Sequence, residues 1–151
     1  MKKDPIRLTL AILVGLGLVV APGGADATER AAIEMTVVSA YVEGIHINGD
    51  PQAIRAGFHE DFVMAVLRDG AIVQVGRDEW IERIESRRAE REAAPKPKVE
   101  HEFTLVDQTG PAAVARIEIR RDGEHVYTDY LSLYRFDDGW KIIGKIFASH
   151  R

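Results

Sequence analysis

Two polar residues stand inside strand-like apolar stretches, and both could handle a proton. HVYTDYLSLYRF, His125 to Phe136, carries Asp129 among tyrosines and leucines; VEHEFTLVD, Val99 to Asp107, carries His101. Side chains alternate along a strand, so residues two apart share a face. His125, Tyr127, Asp129, Leu131 and Leu133 then form one row. Val99, His101, Phe103 and Leu105 form a second, and Ala113, Ala115, Ile117 and Ile119 a third. These rows are the apolar ones and are expected to face the core. A carboxylate on such a face needs a partner, because burying a lone charge is costly. His101, Tyr41 or a backbone N–H could supply it; otherwise its pKa rises and the neutral acid suits proton transfer. Asp129 and His101 are therefore the candidate catalytic pair, with a purely structural lock between sheet and helix as the alternative.

The elements that would position this pair can be read from periodicity and punctuation. TERAAIEMTVVSAYVEGIHINGD, residues 28–50, reads as one amphipathic helix with Ile33, Val37, Val38, Tyr41 and Ile45 on its apolar face. Asn48-Gly49 closes it, and Asp50-Pro51 caps and starts a short second helix, PQAIRAGFHEDF. FVMAVL and AIVQV flank Arg68-Asp69-Gly70, a hairpin signal. RDEWIERIESRRAERE is a third helix capped by Asp78, its charged second half projecting into water and supported by Glu79–Arg83 and Arg88–Glu92 pairs. After the proline-bearing linker AAPKPK come four strands, a meander turned at Gln108-Thr109-Gly110, Asp122-Gly123 and Asp138-Gly139. Helices first and a meander last imply an α+β domain with three helices on one face of an antiparallel sheet. Tyr41, Trp80 and Tyr127 are expected to line a pocket beside Asp129 and His101, with His59 near its mouth.

Residues 1–27 read as an export signal. Lys2, Lys3 and Arg7 form a positive head, Leu8 to Ala21 an uncharged apolar run, and Ala25-Asp26-Ala27 a small-residue cleavage site. The 14-residue run is short of the ~18–20 needed to cross a bilayer. Cleavage after Ala27 leaves residues 28–151 as a single domain, without a membrane attachment, in the bacterial periplasm or secreted; an uncleaved membrane anchor is the alternative. Three of the 20 basic and two of the 24 acidic residues lie in residues 1–27, so the remainder carries a formal charge of −5. No basic face dominates, which argues against nucleic acid as a partner. The chain has no cysteine, which excludes disulfides, thiol chemistry and cysteine metal sites.

YVEGIHINGDPQAIRAGFHEDF resembles the opening of nuclear transport factor 2-like domains, and YTDYLSLYRFDDGWKIIGKIF resembles their last two strands. Within that superfamily the wording is most similar to the putative lumazine-binding branch. The resemblance implies a cone-shaped fold whose curved sheet wraps helices around a pocket, often in a homodimer. Steroid isomerases of the superfamily use a helix-one tyrosine as oxyanion donor, a role that falls on Tyr41. They also carry an aspartate in the first strand after the second helix; here FVMAVL has none.

The expected function is small-molecule binding, with Tyr41, His59, Trp80, His101, Tyr127 and Asp129 contacting a small apolar or aromatic ligand. One alternative is an acid–base enzyme of isomerase, cyclase or dehydratase type using Asp129 and His101. The other is a dimeric interaction module whose convex row includes Tyr130 and Tyr134. No phosphate-cradling glycine loop and no dense histidine cluster is present, and His59-Glu60-Asp61 lacks a second half with metal-ligand spacing. Neither a cofactor nor a metal is expected.

Overall fold

The first helix changes character half-way along. In the computed structural model, which describes residues 26–150, α1 spans Ala27–Val37 and then opens into a π-helical segment, Val38–Asn48. The expected export segment lies outside the described residues except for Asp26 and Ala27. Asp26 caps α1, its carboxylate accepting from the Thr28 N–H at 3.2 Å. Among the described residues no helix is long and apolar enough to cross a membrane.

An α-helix buries residues three and four apart. A π-helix bonds i to i+5 and usually persists for a single turn. The wider turn here buries Ala40, Tyr41 and Val42 together, and then Gly44, Ile45 and His46. Gly49 closes the segment with φ 62°, its N–H donating to Gly44 O. The expected single α-helix is thus two helical forms in line. His46, which has no place on the expected apolar stripe, is buried as a result.

Asp50 caps α2, Pro51–Gly57, by accepting from the Gln52 N–H at 2.9 Å. The helix crosses the π-segment closely: a Cβ on Gly57 would lie 2.3 Å from the Ala40 Cβ. This helix is shorter than its expected extent to Phe62. Phe58 onward is already strand β1, Phe58–Arg68, so His59-Glu60-Asp61 lies within a strand rather than at a helix end. Asp69 and Gly70 both adopt positive φ, the requirement of a tight two-residue hairpin turn, and lead into β2, Ala71–Gly76.

The expected third helix is also divided, into α3, Arg77–Ser86, and α4, Arg88–Ala93. Gly76 rather than Asp78 occupies the cap position of α3; Asp78 sits in the first turn, paired with Arg77 at 3.0 Å. The Glu79–Arg83 and Arg88–Glu92 pairs form at 2.6 and 3.5 Å. One residue of the charged half does not project outward: Arg91 turns back and donates to the Ile45 carbonyl at 2.8 Å.

β3 (Val99–Thr109), β4 (Ala112–Arg121), β5 (Glu124–Phe136) and β6 (Gly139–Ser149) form the meander. With the first hairpin they make one open six-stranded sheet in the order β2-β1-β6-β5-β4-β3. All neighbours are antiparallel except β1 and β6, which run parallel. Glu29 ties α1 to this sheet, accepting from Trp140 Nε1 at 2.8 Å and from Arg135.

Each meander pair contains one extra residue, and each bulge reverses the facing of the residues beyond it. Thr104 is extra in β3, so Val106 rather than Leu105 points inward; Leu105 is exposed. Val126 is extra in β5, which places His125 on the outer face and leaves Tyr127, Asp129, Leu131 and Leu133 inside. Ile143 is extra in β6, so the inward row runs Trp140, Ile142, Lys145, Phe147. The β4 row is as expected, with Ala113, Ala115, Ile117 and Ile119 all buried.

Candidate functional site

Asp129 lies in mid-β5 on the inner face and is 0% exposed. Tyr41, brought over it by the π-segment, donates its hydroxyl to Oδ2 at 2.7 Å. The other oxygen, Oδ1, accepts from Lys145, whose side chain is 4% exposed. Lys145 owes this place to the Ile143 bulge. A regular β6 would put it with Lys141 on the face opposite Ile142.

Four rings enclose the ammonium. Its nitrogen lies 4.1 Å from the centre of Phe147, 5.2 Å from Tyr41, and 6.0 Å from both Trp80 and Tyr127. Ring faces attract a cation, and the effect grows as water is removed. Burial pushes the Lys145 ammonium down from its ordinary value, opposed by the charge and hydrogen bond of Asp129. Burial pushes the Tyr41 hydroxyl well up, and the neighbouring Asp129 carboxylate adds to that. Tyr41 is thus held as a neutral donor. The arrangement of phenol, carboxylate and ammonium is a closed electrostatic unit, neutral overall, walled by aromatic rings.

Above it opens a cavity of about 400 Å³ lined by Tyr41, Met64, Trp80, Tyr127, Lys145 and Phe147. Ile45, His46 and Ile84 also line it, together with four arginines, Arg83, Arg87, Arg91 and Arg121. Arg83 and Arg87 are spaced one turn apart along the helical run and are exposed at the rim. Arg121 continues the inward row of β4 by one residue and bonds His46 Nδ1 at 2.7 Å. A guanidinium can only donate, so Nδ1 accepts and the His46 proton sits on Nε2. The His46 ring meets Tyr41 edge-on at 4.7 Å. A second cavity of about 300 Å³ adjoins the first through His46, Ile84, Arg91 and Arg121.

Of the residues singled out from sequence, Tyr41, Trp80 and Tyr127 line this cavity. Asp129 backs the cavity without lining it, sealed behind Tyr41 and Lys145. His101 does not join them. It faces inward but lies exposed on β3, the edge strand, with its ring 5.8 Å from Phe103. Across the sheet Asp129 is aligned with Ile117 and then Phe103, not His101. The expected Asp129–His101 pair is therefore not formed, and the ammonium of Lys145 takes the partner's place. His59 is elsewhere too, stacked on Phe136 at 4.6 Å beside Arg77 and Lys141.

The family model described as putative lumazine-binding matches residues 28–148. The chain belongs to that family. Solved structures similar to this family member include an NTF2-like protein of unknown function from Silicibacter pomeroyi DSS-3. It shares 21% identity at a TM-score of 0.64 and covers 83% of this chain and 99% of its own. An NTF2-like protein of unknown function from Shewanella baltica OS155 also shares 21% identity, with TM-score 0.67 and coverage of 85% and 99%. One from Methylobacillus flagellatus KT shares 19% at 0.64, covering 83% and 95%. Likeness at these identities establishes the nuclear transport factor 2-like fold. Comparison with curated proteins finds no match.

Proposed function

We propose that this family member binds a small planar aromatic molecule bearing a negative charge, in the cavity above Lys145. The observation that carries this reading is the composition of the wall: Tyr41, Trp80, Tyr127 and Phe147 supply ring faces, and Arg83, Arg87, Arg91 and Arg121 belong to the same lining. A cavity of about 400 Å³ is within the range of small-molecule sites, in which a few polar groups orient a mostly apolar ligand. The chain as a whole is acidic, so a cluster of guanidiniums at one concavity focuses positive potential there and selects anions. Arg–carboxylate contacts are strong because the planar fork can donate two parallel bonds. A pteridine-type bicycle such as lumazine, the ligand in the family's description, has the flat aromatic body this wall favours.

The test is a fluorescence titration of the chain from Thr28 onward with lumazine, a bicyclic aromatic carboxylate and the matching neutral amide. Binding of the carboxylate well above the amide, with quenching of tryptophan emission, supports the reading. Equal or absent binding of all three overturns it. Export is part of the same proposal and rests on the charged head, apolar run and A-x-A site of residues 1–27; fractionation of expressing cells, with the mass of the recovered chain, tests it.

A second reading, a dimer through the outer sheet face, is favoured by the apolar groups that face leaves in water. Leu105, Val114, Tyr130, Tyr134 and Ile146 are all large and exposed there.

A further inference from the structure

On the outer face of the sheet, away from the aromatic cavity, three side chains able to ligate a metal converge. Glu118 of β4, His125 at the start of β5 and His150 just past β6 each bring one ligand atom, all within 4.8 Å of one another. They stand 7 and 25 residues apart in sequence, a spacing that matches no familiar metal motif. The fold assembles them by particular means. The extra residue Val126 turns His125 to the outer face, where Glu118 pairs across the strands with Thr128. The His150 N–H then donates to the carbonyl of that same Val126 at 3.0 Å. This bond carries β6 one residue further and lays the His150 ring on His125, with centres 4.0 Å apart.

Both imidazoles direct Nε2 at one spot. His125 Nε2 is 2.6 Å from Glu118 Oε2, and His150 Nε2 is 3.0 Å from Thr128 Oγ1. The Thr128 hydroxyl is itself 2.6 Å from the same Oε2. Arg116 holds the other carboxylate oxygen, Oε1, at 2.7 Å, which orients Oε2 toward the histidines.

We propose that Glu118, His125 and His150 form a binding site for a divalent transition-metal ion of the zinc class on the outer face of the sheet. Two imidazoles and one carboxylate are the donors such ions prefer, and three protein ligands leave a position for water or the Thr128 hydroxyl. Zinc lies ~2.0–2.1 Å from nitrogen and oxygen donors, so tetrahedral ligand atoms stand roughly 3.3 Å apart. The present 2.6 Å contact between His125 and Glu118 is closer than that spacing, so these two side chains must separate slightly to admit the ion. Arg116 acts in both directions, orienting the carboxylate as outer-shell partners do while its charge opposes the cation.

Titration calorimetry of the untagged chain with zinc chloride, and absorption spectra with cobalt(II), test this. The expected result is one ion per chain, with visible cobalt bands of a four-coordinate site. Glu118→Gln and His150→Ala should each weaken zinc binding at least ~10-fold, the lower end of the loss seen even for outer-shell changes. His101→Ala removes an exposed histidine from the same sheet outside the cluster and should leave binding unchanged. The His150 side chain is exposed and its backbone N–H, which bonds Val126 O, is retained in the variant, so the variant keeps the fold, which circular dichroism checks. No zinc uptake, or a His150→Ala chain that binds zinc as tightly as the unaltered one, overturns the proposal.

Discussion

The ammonium of Lys145 and the carboxylate of Asp129 form an ion pair inside the sheet–helix interface, on strands β6 and β5, with both side chains essentially out of water. Asp129 is held from two sides, by Lys145 and by the Tyr41 hydroxyl. Such a pair is weak evidence of net stabilisation, since both ions lose hydration; removing one partner is a different matter, because the other stays buried uncompensated.

Lys145→Met should therefore destabilise the fold by about 3–5 kcal/mol, the range for breaking a buried pair. The double variant Lys145→Met with Asp129→Leu should cost clearly less than the two single changes added together. Urea unfolding of the four proteins measures this. Additive effects would show that the two charges do not depend on one another.

Arg87 is exposed at the cavity rim, so its replacement leaves the core alone. If the rim attracts an anionic ligand, Arg87→Glu should weaken binding of an aromatic carboxylate by about tenfold, equivalent to ~1.4 kcal/mol. The deficit should shrink at high salt, because exposed charges are screened. Titrations at low and high sodium chloride distinguish this from loss of shape. A salt-independent deficit would mean that packing, not charge, was lost.

The sequence is legible where the chain is regular. The helix cap at Asp50, the Asp69-Gly70 and Asp122-Gly123 turns, and the inward row of β4 all rest on local rules that tertiary context leaves intact. Tyr41 is legible as a partner for Asp129 because both stand on apolar faces expected to meet. Lys145 is not, since strict alternation in WKIIGKIF groups it with Lys141. The hint is two adjacent isoleucines before Gly144, a strand glycine whose added Cβ would meet Ser132 Oγ at 3.0 Å. His46 is hidden because 3.6-residue periodicity does not describe a π-helical turn. His101 misleads for a third reason: its parity is right, but β3 is an edge strand with little to cover that end of its row.

Acid should weaken the outer-face cluster in a defined window. Burial alone would push the Glu118 carboxyl up, but hydrogen bonds from Thr128 and His125 and the charge of Arg116 outweigh it and hold the group below its ordinary 4.5. A depressed carboxylate pKa means that the unfolded chain binds the proton more readily. The stability it contributes is complete above about pH 4.5 and is lost as pH falls through the folded value. Glu118→Gln should therefore differ from the unaltered protein more at pH 6 than at pH 3 in urea unfolding. A constant difference would remove Glu118 from the acid response.

The outer sheet face poses the last question. Tyr130 and Ile146 pair across β5 and β6 and are 46% and 56% exposed. Val114 and Leu105 extend the same apolar surface over β4 and β3. Arg116 stands between Tyr130 and Leu105, but exposed apolar groups clustered on one face mark contact surfaces, and tyrosine is enriched in such contacts. With no metal added, a homodimer formed there should give twice the chain mass in light scattering. Tyr130→Glu with Ile146→Glu should return a folded monomer, because like charges on both strands would be buried unpaired at a symmetric interface. An unchanged mass in the double variant rejects this face as the dimer contact, whatever the state of the unaltered chain.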